Sequence, residues 1–123
     1  MNPSTNVAYV ANYDRDTVSV IDGKTNAVIG NIKVGKGPSA VSVNPSTNIA
    51  YVSNFDGDTV SVIDGKTNTV TPTIPVSQYP SAVSVNPSTN IAYVANRGDN
   101  TVKRCKIRSC IRPWIATSRK KVG

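Results

Sequence analysis

A block of 42 residues recurs along this chain and constrains its fold more than any other feature. The sequence Asn-Pro-Ser-Thr-Asn begins at positions 2, 44 and 86. Residues 2–43 and 44–85 align without a gap and are identical at 30 of 42 positions. A third copy follows the pattern over residues 86–102 and then departs from it. Because repeats of this length stack as copies of one supersecondary unit, the repeat is the unit of structure.

The residue types that the chain uses indicate strands. Among its 123 residues there is no Leu and no Glu, two of the favoured helix formers. Val, Ile and Thr together account for 40 residues, and β-branched side chains suit strands. The composition therefore predicts an all-β fold.

Each complete unit contains four strand signals separated by turn residues. In the second unit they cover residues 39–43, 49–52, 59–63 and 69–76. The Asp64-Gly65 pair after the third signal favours a type I′ hairpin turn. Pro72 and Pro75 lie within the fourth signal, and proline cannot donate to a sheet ladder, so this strand is predicted at an outer edge. Four strands per 42 residues are typical of a propeller blade.

Both faces of these strands are apolar. Ile49 and Tyr51 share one face of the second signal, and Ala50 and Val52 share the other. Such a strand is covered on both sides, as it is when blades stack face to face. We therefore predict a partial β-propeller of stacked four-stranded antiparallel blades over residues 1–102. A β-solenoid is the competing architecture, and the hairpin signal argues against it.

The second strand signal also carries a family resemblance. Residues 7–12, 49–54 and 91–96 read VAYVAN, IAYVSN and IAYVAN, which resemble the Tyr-Val-Thr-Asn signature of YVTN-family β-propeller repeats. The resemblance covers residues 2–102. It implies a surface-layer, secreted or periplasmic protein of archaea or bacteria that acts as an interaction scaffold, usually seven-bladed.

The last part of the chain differs in charge from the repeats. Residues 103–123 hold eight basic and no acidic residues, whereas the preceding 102 hold six basic and seven acidic ones. If the third strand of unit three continued, Arg104, Lys106 and Arg108 would share the face that valines occupy in the other units, at a large desolvation cost. We therefore predict that this strand departs from its siblings after Val102. Residues 103–123 are predicted to be a disordered basic tail, and a change of reading frame near codon 103 would explain the break.

No catalytic, cofactor-binding or metal-binding residue is predicted. The absence of His excludes Ser-His-Asp and Cys-His catalysis. The segments 12–16 and 54–58, each of the form Asn-x-Asp-x-Asp, resemble the opening of a calcium loop but lack the later acidic ligand. Cys105 and Cys110 have no further Cys or His with which to form a zinc site, and we interpret them as incidental thiols.

These observations favour a non-enzymatic β-propeller fragment whose partner is a protein or cell-surface ligand. The alternatives are a fragment of an enzymatic propeller, lactonase-like or quinoprotein-like, and a fragment that self-associates through exposed blade faces and edges. Residues 103–114 could form a nucleic-acid or membrane arm, but we predict no specific nucleic-acid partner. No transmembrane segment is predicted, and residues 1–6 show no signal peptide. By resemblance the location is extracellular, at the cell surface or periplasmic.

Overall fold

The strands of the repeats assemble into three separate antiparallel sheets, which we call blades 1, 2 and 3. The computed structural model describes residues 1–105 in full and the backbone of residues 106, 109 and 110. Blade 1 comprises β1 (Val7–Asn12), β2 (Thr17–Asp22) and β3 (Ala27–Lys33). Blade 2 comprises β4 (Pro38–Asn44), β5 (Ile49–Asn54), β6 (Thr59–Asp64) and β7 (Thr69–Pro75). Blade 3 comprises β8 (Pro80–Asn86), β9 (Ile91–Asn96), β10 (Thr101–Lys106) and β11 (Ser109–Cys110).

Within every blade, strands that are consecutive in sequence are neighbours, as a chain of tight hairpins requires. Blade 2 alone has the four full-length strands of a complete unit, and β7, which contains Pro72, lies at its outer edge as predicted. The chain is therefore all-β, and its blades form part of a β-propeller, which confirms the predicted fold class.

The blades stack face to face around two hydrophobic cores. Core 1 joins Tyr9, Val18, Val20 and Ile32 of blade 1 to Ala50, Val52 and Ile63 of blade 2. Core 2 joins Ile49, Tyr51, Val60 and Val62 of blade 2 to Ala92, Val94 and Cys105 of blade 3. The two predicted faces of β5 thus enter different cores. We call the side of a blade that meets the preceding blade its front face, and the opposite side its rear face.

The turn after β6 differs from the predicted type I′ hairpin. Its left-handed residue is Asn68, with φ 55°, and Asn68 N–H donates to Asp64 C=O at 2.7 Å across a four-residue loop. Gly65 serves close packing instead, because its N–H donates to Asn48 C=O at 2.9 Å and a Cβ at this position would lie 2.6 Å from that oxygen. The Asp-Gly pair therefore marks a close approach between two turns.

The prediction that the third strand of unit three departs after Val102 is wrong for the described residues. β10 pairs with β9 from Thr101↔Asn96 to Lys106↔Ile91, with the same register that β6 keeps with β5. The reason is that Arg104 lies on the rear face of blade 3, against which no described blade packs, and its side chain is only partly buried, so it does not pay the full desolvation cost. Residues 107, 108 and 111–123, where most of the predicted disordered tail falls, lie outside the described residues.

Candidate interaction surfaces

The turns that begin each repeat form a ladder of asparagine side chains between blades. Asn2 Nδ2 donates to Asn48 Oδ1 at 2.9 Å, and Asn44 Nδ2 donates to Asn90 Oδ1 at 3.0 Å. Asn2 and Asn44 are 0% and 1% exposed. Each also accepts a bond of 3.0 Å from the backbone N–H two residues later. One carboxamide thus closes its own turn and links it to the next blade. Sequence reasoning missed this role because it treated these residues only as turn residues between strand signals.

The Pro-Ser pairs that follow these asparagines lie in a row, which we call the Pro-Ser groove. The groove is open, has a volume of about 460 Å³, and is lined by Pro3, Ser4, Pro45, Ser46, Pro87 and Ser88. Its lining contains hydroxyls and pyrrolidine rings but no charged side chain. These groups suit an uncharged polar ligand such as an extended peptide, because the rings offer apolar contact and the hydroxyls both donate and accept hydrogen bonds.

At the other end of the strands, aspartates hold the linkers between blades. Asp16 accepts a bond from Gly37 N–H at 2.9 Å, and Asp58 accepts one from Tyr79 N–H at 3.0 Å. Both aspartates have left-handed backbones, with φ of 57° and 54°, which Asp tolerates better than most residues. A second contact is the Tyr13 hydroxyl, which donates to Asp56 Oδ2 at 2.6 Å and thereby raises the pKa of Tyr13.

Five of the six Asn and Asp residues in the possible calcium loops form hydrogen bonds within the chain. Asn12 and Asn54 end the strands that precede these loops, and their side chains donate to Thr and Ser hydroxyls of the next strand at 2.8 to 3.1 Å. Asp16 and Asp58 bind the linkers, and Asp56 binds Tyr13. Within the part of the chain that the structure describes, no three carboxylate or cysteine side chains gather into a metal-binding group. Asp16, Asp56 and Asp58 thus link each loop to the next blade or its linker.

The interpretation of Cys105 as an incidental thiol is wrong. Its side chain is 1% exposed in core 2, at the position that Ile63 occupies in blade 2, and it is disulfide-bonded. The second cysteine of the chain, Cys110, faces it in register across the β10–β11 hairpin. Sequence reasoning missed the pair because it did not extend the third strand past Val102. A bond closing this short loop contributes about 2 kcal/mol in the chain-entropy estimate.

Alkylation tests this disulfide. We expect the denatured, unreduced protein to add no iodoacetamide and the reduced protein to add two molecules, measured by intact mass, because both thiols are consumed in one bond. The Cys110→Ser variant, which retains a single thiol, is the control and should add one molecule without reduction. Uptake by the unreduced wild-type chain would contradict the assignment.

The two outermost blade faces are largely apolar, and no described blade packs against either of them. The front face of blade 1 presents Val10 and Val28, which are 42% and 57% exposed. Their equivalents one repeat later, Val52 and Val70, pack in or against core 1, and Val52 is 0% exposed. The rear face of blade 3 presents Tyr93 and Val102, which are partly exposed. Both faces therefore expose positions that are covered in blade 2.

Comparison with known proteins extends the assignment of the fold. No family model matches the chain. A stretch of 43 residues, 35% of this chain, is 54% identical to PE-PGRS family protein PE_PGRS18 of Mycobacterium tuberculosis and covers 9% of that protein. The fold is similar to hydrazine synthase of Kuenenia stuttgartiensis, with a TM-score of 0.86 and 28% identity over 92% of this chain and 33% of that one. It is also similar to a functionally unknown protein of Desulfotomaculum acetoxidans, with a TM-score of 0.75 and 14% identity over 89% of this chain and 38% of that one.

These likenesses, together with the blades, define the chain as a propeller-like repeat array. It spans only a third or slightly more of each matched structure and a tenth or less of the matched mycobacterial protein. Its longest described helix is the three-residue 3-10 turn Tyr13–Arg15, and no described helix could cross a membrane.

Proposed function

We propose that this chain is a non-catalytic β-propeller module of the YVTN repeat type that binds another protein through its Pro-Ser groove. One observation carries the non-catalytic part of the proposal. Six of the seven aspartates, the only acidic side chains, accept hydrogen bonds from the chain's own loops. General acid-base chemistry needs carboxylates that face a substrate, and here they hold turns and linkers together.

The groove supports the binding part of the proposal. The groove contains three copies of the Pro-Ser pair in a row. An extended peptide segment of a partner protein could therefore make the same contact at each of the three pairs. Ser46 and Ser88 are exposed, and Ser46 Oγ donates only a long bond of 3.4 Å to Pro87 C=O. Its hydroxyl therefore remains available to a partner's backbone amide.

The disulfide of Cys105 supports a location outside the reducing cytoplasm. Disulfides persist in secreted proteins, in the periplasm and at cell surfaces, and they are rare in cytosolic proteins. This agrees with the extracellular, cell-surface or periplasmic location that the YVTN resemblance implies.

An enzymatic parent is the second candidate function. One of the matched structures is an enzyme, hydrazine synthase, and this chain spans 33% of it. In that case the described blades would have a structural role, and residues outside them would carry out the catalysis.

Site-specific photo-crosslinking in the native host tests the proposed groove. A photoreactive residue at Ser46, in the groove, should capture one discrete protein, because the partner lies against that side chain. The matched control is the same probe at Thr69, which is equally classed as exposed but lies on the outer strand of blade 2. No discrete product from Ser46, or the same product from Thr69, would overturn the proposal.

A further inference from the structure

The two outermost faces of the described blades are complementary to each other. The front face of blade 1 consists of Ala8, Val10, Ile21 and Val28, which correspond to Ala50, Val52, Ile63 and Val70 in blade 2. The rear face of blade 3 consists of Ile91, Tyr93, Val102 and Arg104, which correspond to Ile49, Tyr51, Val60 and Val62. Faces of these two kinds already pack against each other twice within the chain, in cores 1 and 2.

We propose that a second copy of this chain covers these faces, with the rear of blade 3 in one copy packing on the front of blade 1 in the other. The occupant follows from the packing within the chain, because all four front-face residues and three of the four rear-face residues are identical to residues that pack against a neighbouring blade. Two copies supply six blades, and propellers close with 4–8. The result is a cyclic dimer with two equivalent head-to-tail interfaces.

Hydrogen-bonding groups beside the two faces are complementary as well. Asn86 Oδ1 accepts a bond from Ser88 N–H at 3.0 Å, as Asn44 does from Ser46, but Asn86 Nδ2 has no acceptor among the described residues. Asn2 and Asn44 donate to Asn48 and Asn90 of the next blade. In the dimer, the residue that corresponds to Asn48 and Asn90 is Asn6 of the second copy, to which Asn86 would donate. The Oδ1 of Asn6 lies beside Gly23 as that of Asn48 lies beside Gly65, so the acceptor is already in place.

Arg104 is the one change among the four rear-face positions compared. It stands where Val20 and Val62 are buried in the other blades. Blade 1, however, has three strands and no inner strand equivalent to β4 or β8. The front face of blade 1 therefore lacks the counterparts of Val83 and Val85, which pack against core 2.

Complementation between two charged variants tests the head-to-tail arrangement. The unreduced 123-residue chain should show twice its mass of 13.0 kDa by light scattering coupled to size-exclusion chromatography. Val10→Asp on the front face and Val102→Lys on the rear face should each reduce this to the mass of one chain, because each buries a charge in both interfaces. Their equimolar mixture should restore the dimer, since one interface is then unmodified and the other pairs Asp with Lys.

Two controls keep the result interpretable. Far-UV circular dichroism should show that both variants retain the β fold, because neither side chain is buried within one chain. Gln78→Asp, which adds the same charge at an exposed linker position, should leave the dimer intact. A monomeric wild type, a heterogeneous mass distribution, or a dimer that mixing does not restore would each overturn the proposal. The groove crosslinking above does not depend on this outcome.

Discussion

Tyr51→Ala is expected to lower the free energy of unfolding by about 3–5 kcal/mol, the range for removing a large buried aromatic side chain. Tyr51 is 1% exposed and packs in core 2 between the rear of blade 2 and the front of blade 3. Truncation would leave a cavity lined by Val and Ala side chains that are held in paired strands, so the site cannot collapse to fill it. Urea denaturation followed by far-UV circular dichroism measures the change.

The repeat provides a matched control for this prediction. Tyr93 occupies the same position in β9, with the same sequence neighbours Ala92 and Val94, but it lies on the rear face of blade 3 and is partly exposed. We expect Tyr93→Ala to cost less than Tyr51→Ala, by about 1 kcal/mol or more, at protein concentrations where the chain is monomeric, because part of the Tyr93 side chain is already exposed to solvent. Equal losses for the two variants would contradict the assignment of the buried and exposed faces.

Gly65→Ala is expected to destabilise the chain by about 2–3 kcal/mol, a cost at the upper end for adding a methyl group to a packed site. The new Cβ would meet both the backbone oxygen of Asn48, at 2.6 Å, and its side-chain Oδ1. That Oδ1 accepts the ladder bond from Asn2, so the clash disturbs the link between blades 1 and 2 as well as the local turn. The change is measured by the same urea denaturation.

Gly30→Ala separates this steric effect from the general cost of ordering glycine. Gly30 lies in β3, its backbone is not in the left-handed region, and a Cβ there would meet nothing within 4 Å. We expect no loss and a gain of up to about 1 kcal/mol, because alanine is less flexible than glycine in the unfolded chain. Stability equal to the wild type in both variants would show that the Asn48 turn moves aside freely.

The sequence was most informative about structural features that depend on a single repeat unit. The alternation of Ile49, Ala50, Tyr51 and Val52 predicted that the strand is covered on both faces, and those residues divide between the two cores. The prolines of β7 predicted an outer strand because proline has no backbone N–H to donate, and β7 lies at the edge of its sheet. Such features depend on side-chain direction and backbone donors, which the sequence specifies directly.

Predictions that depend on neighbouring units were less successful. The desolvation argument for Arg104 assumed a blade packed against its face, and without one the strand continues to Lys106. The Asp64-Gly65 turn was misassigned because the close approach of Asn48 comes from another turn. Contacts such as Asn2 to Asn48 and Tyr13 to Asp56 join residues 46 and 43 positions apart, and their existence depends on how the blades stack.

The division of the interior into two cores determines how the array should lose structure. Blades 1 and 3 share no buried residue in either core, so all apolar coupling between them passes through blade 2. In such a nearest-neighbour system each terminal unit is held from one side only, and local opening begins at the ends. Amide hydrogens of β5 and β6 should therefore exchange with solvent more slowly than those of their counterparts in blades 1 and 3, which are β1, β2, β9 and β10. Closure by a second copy would remove the ends and make protection uniform around the ring.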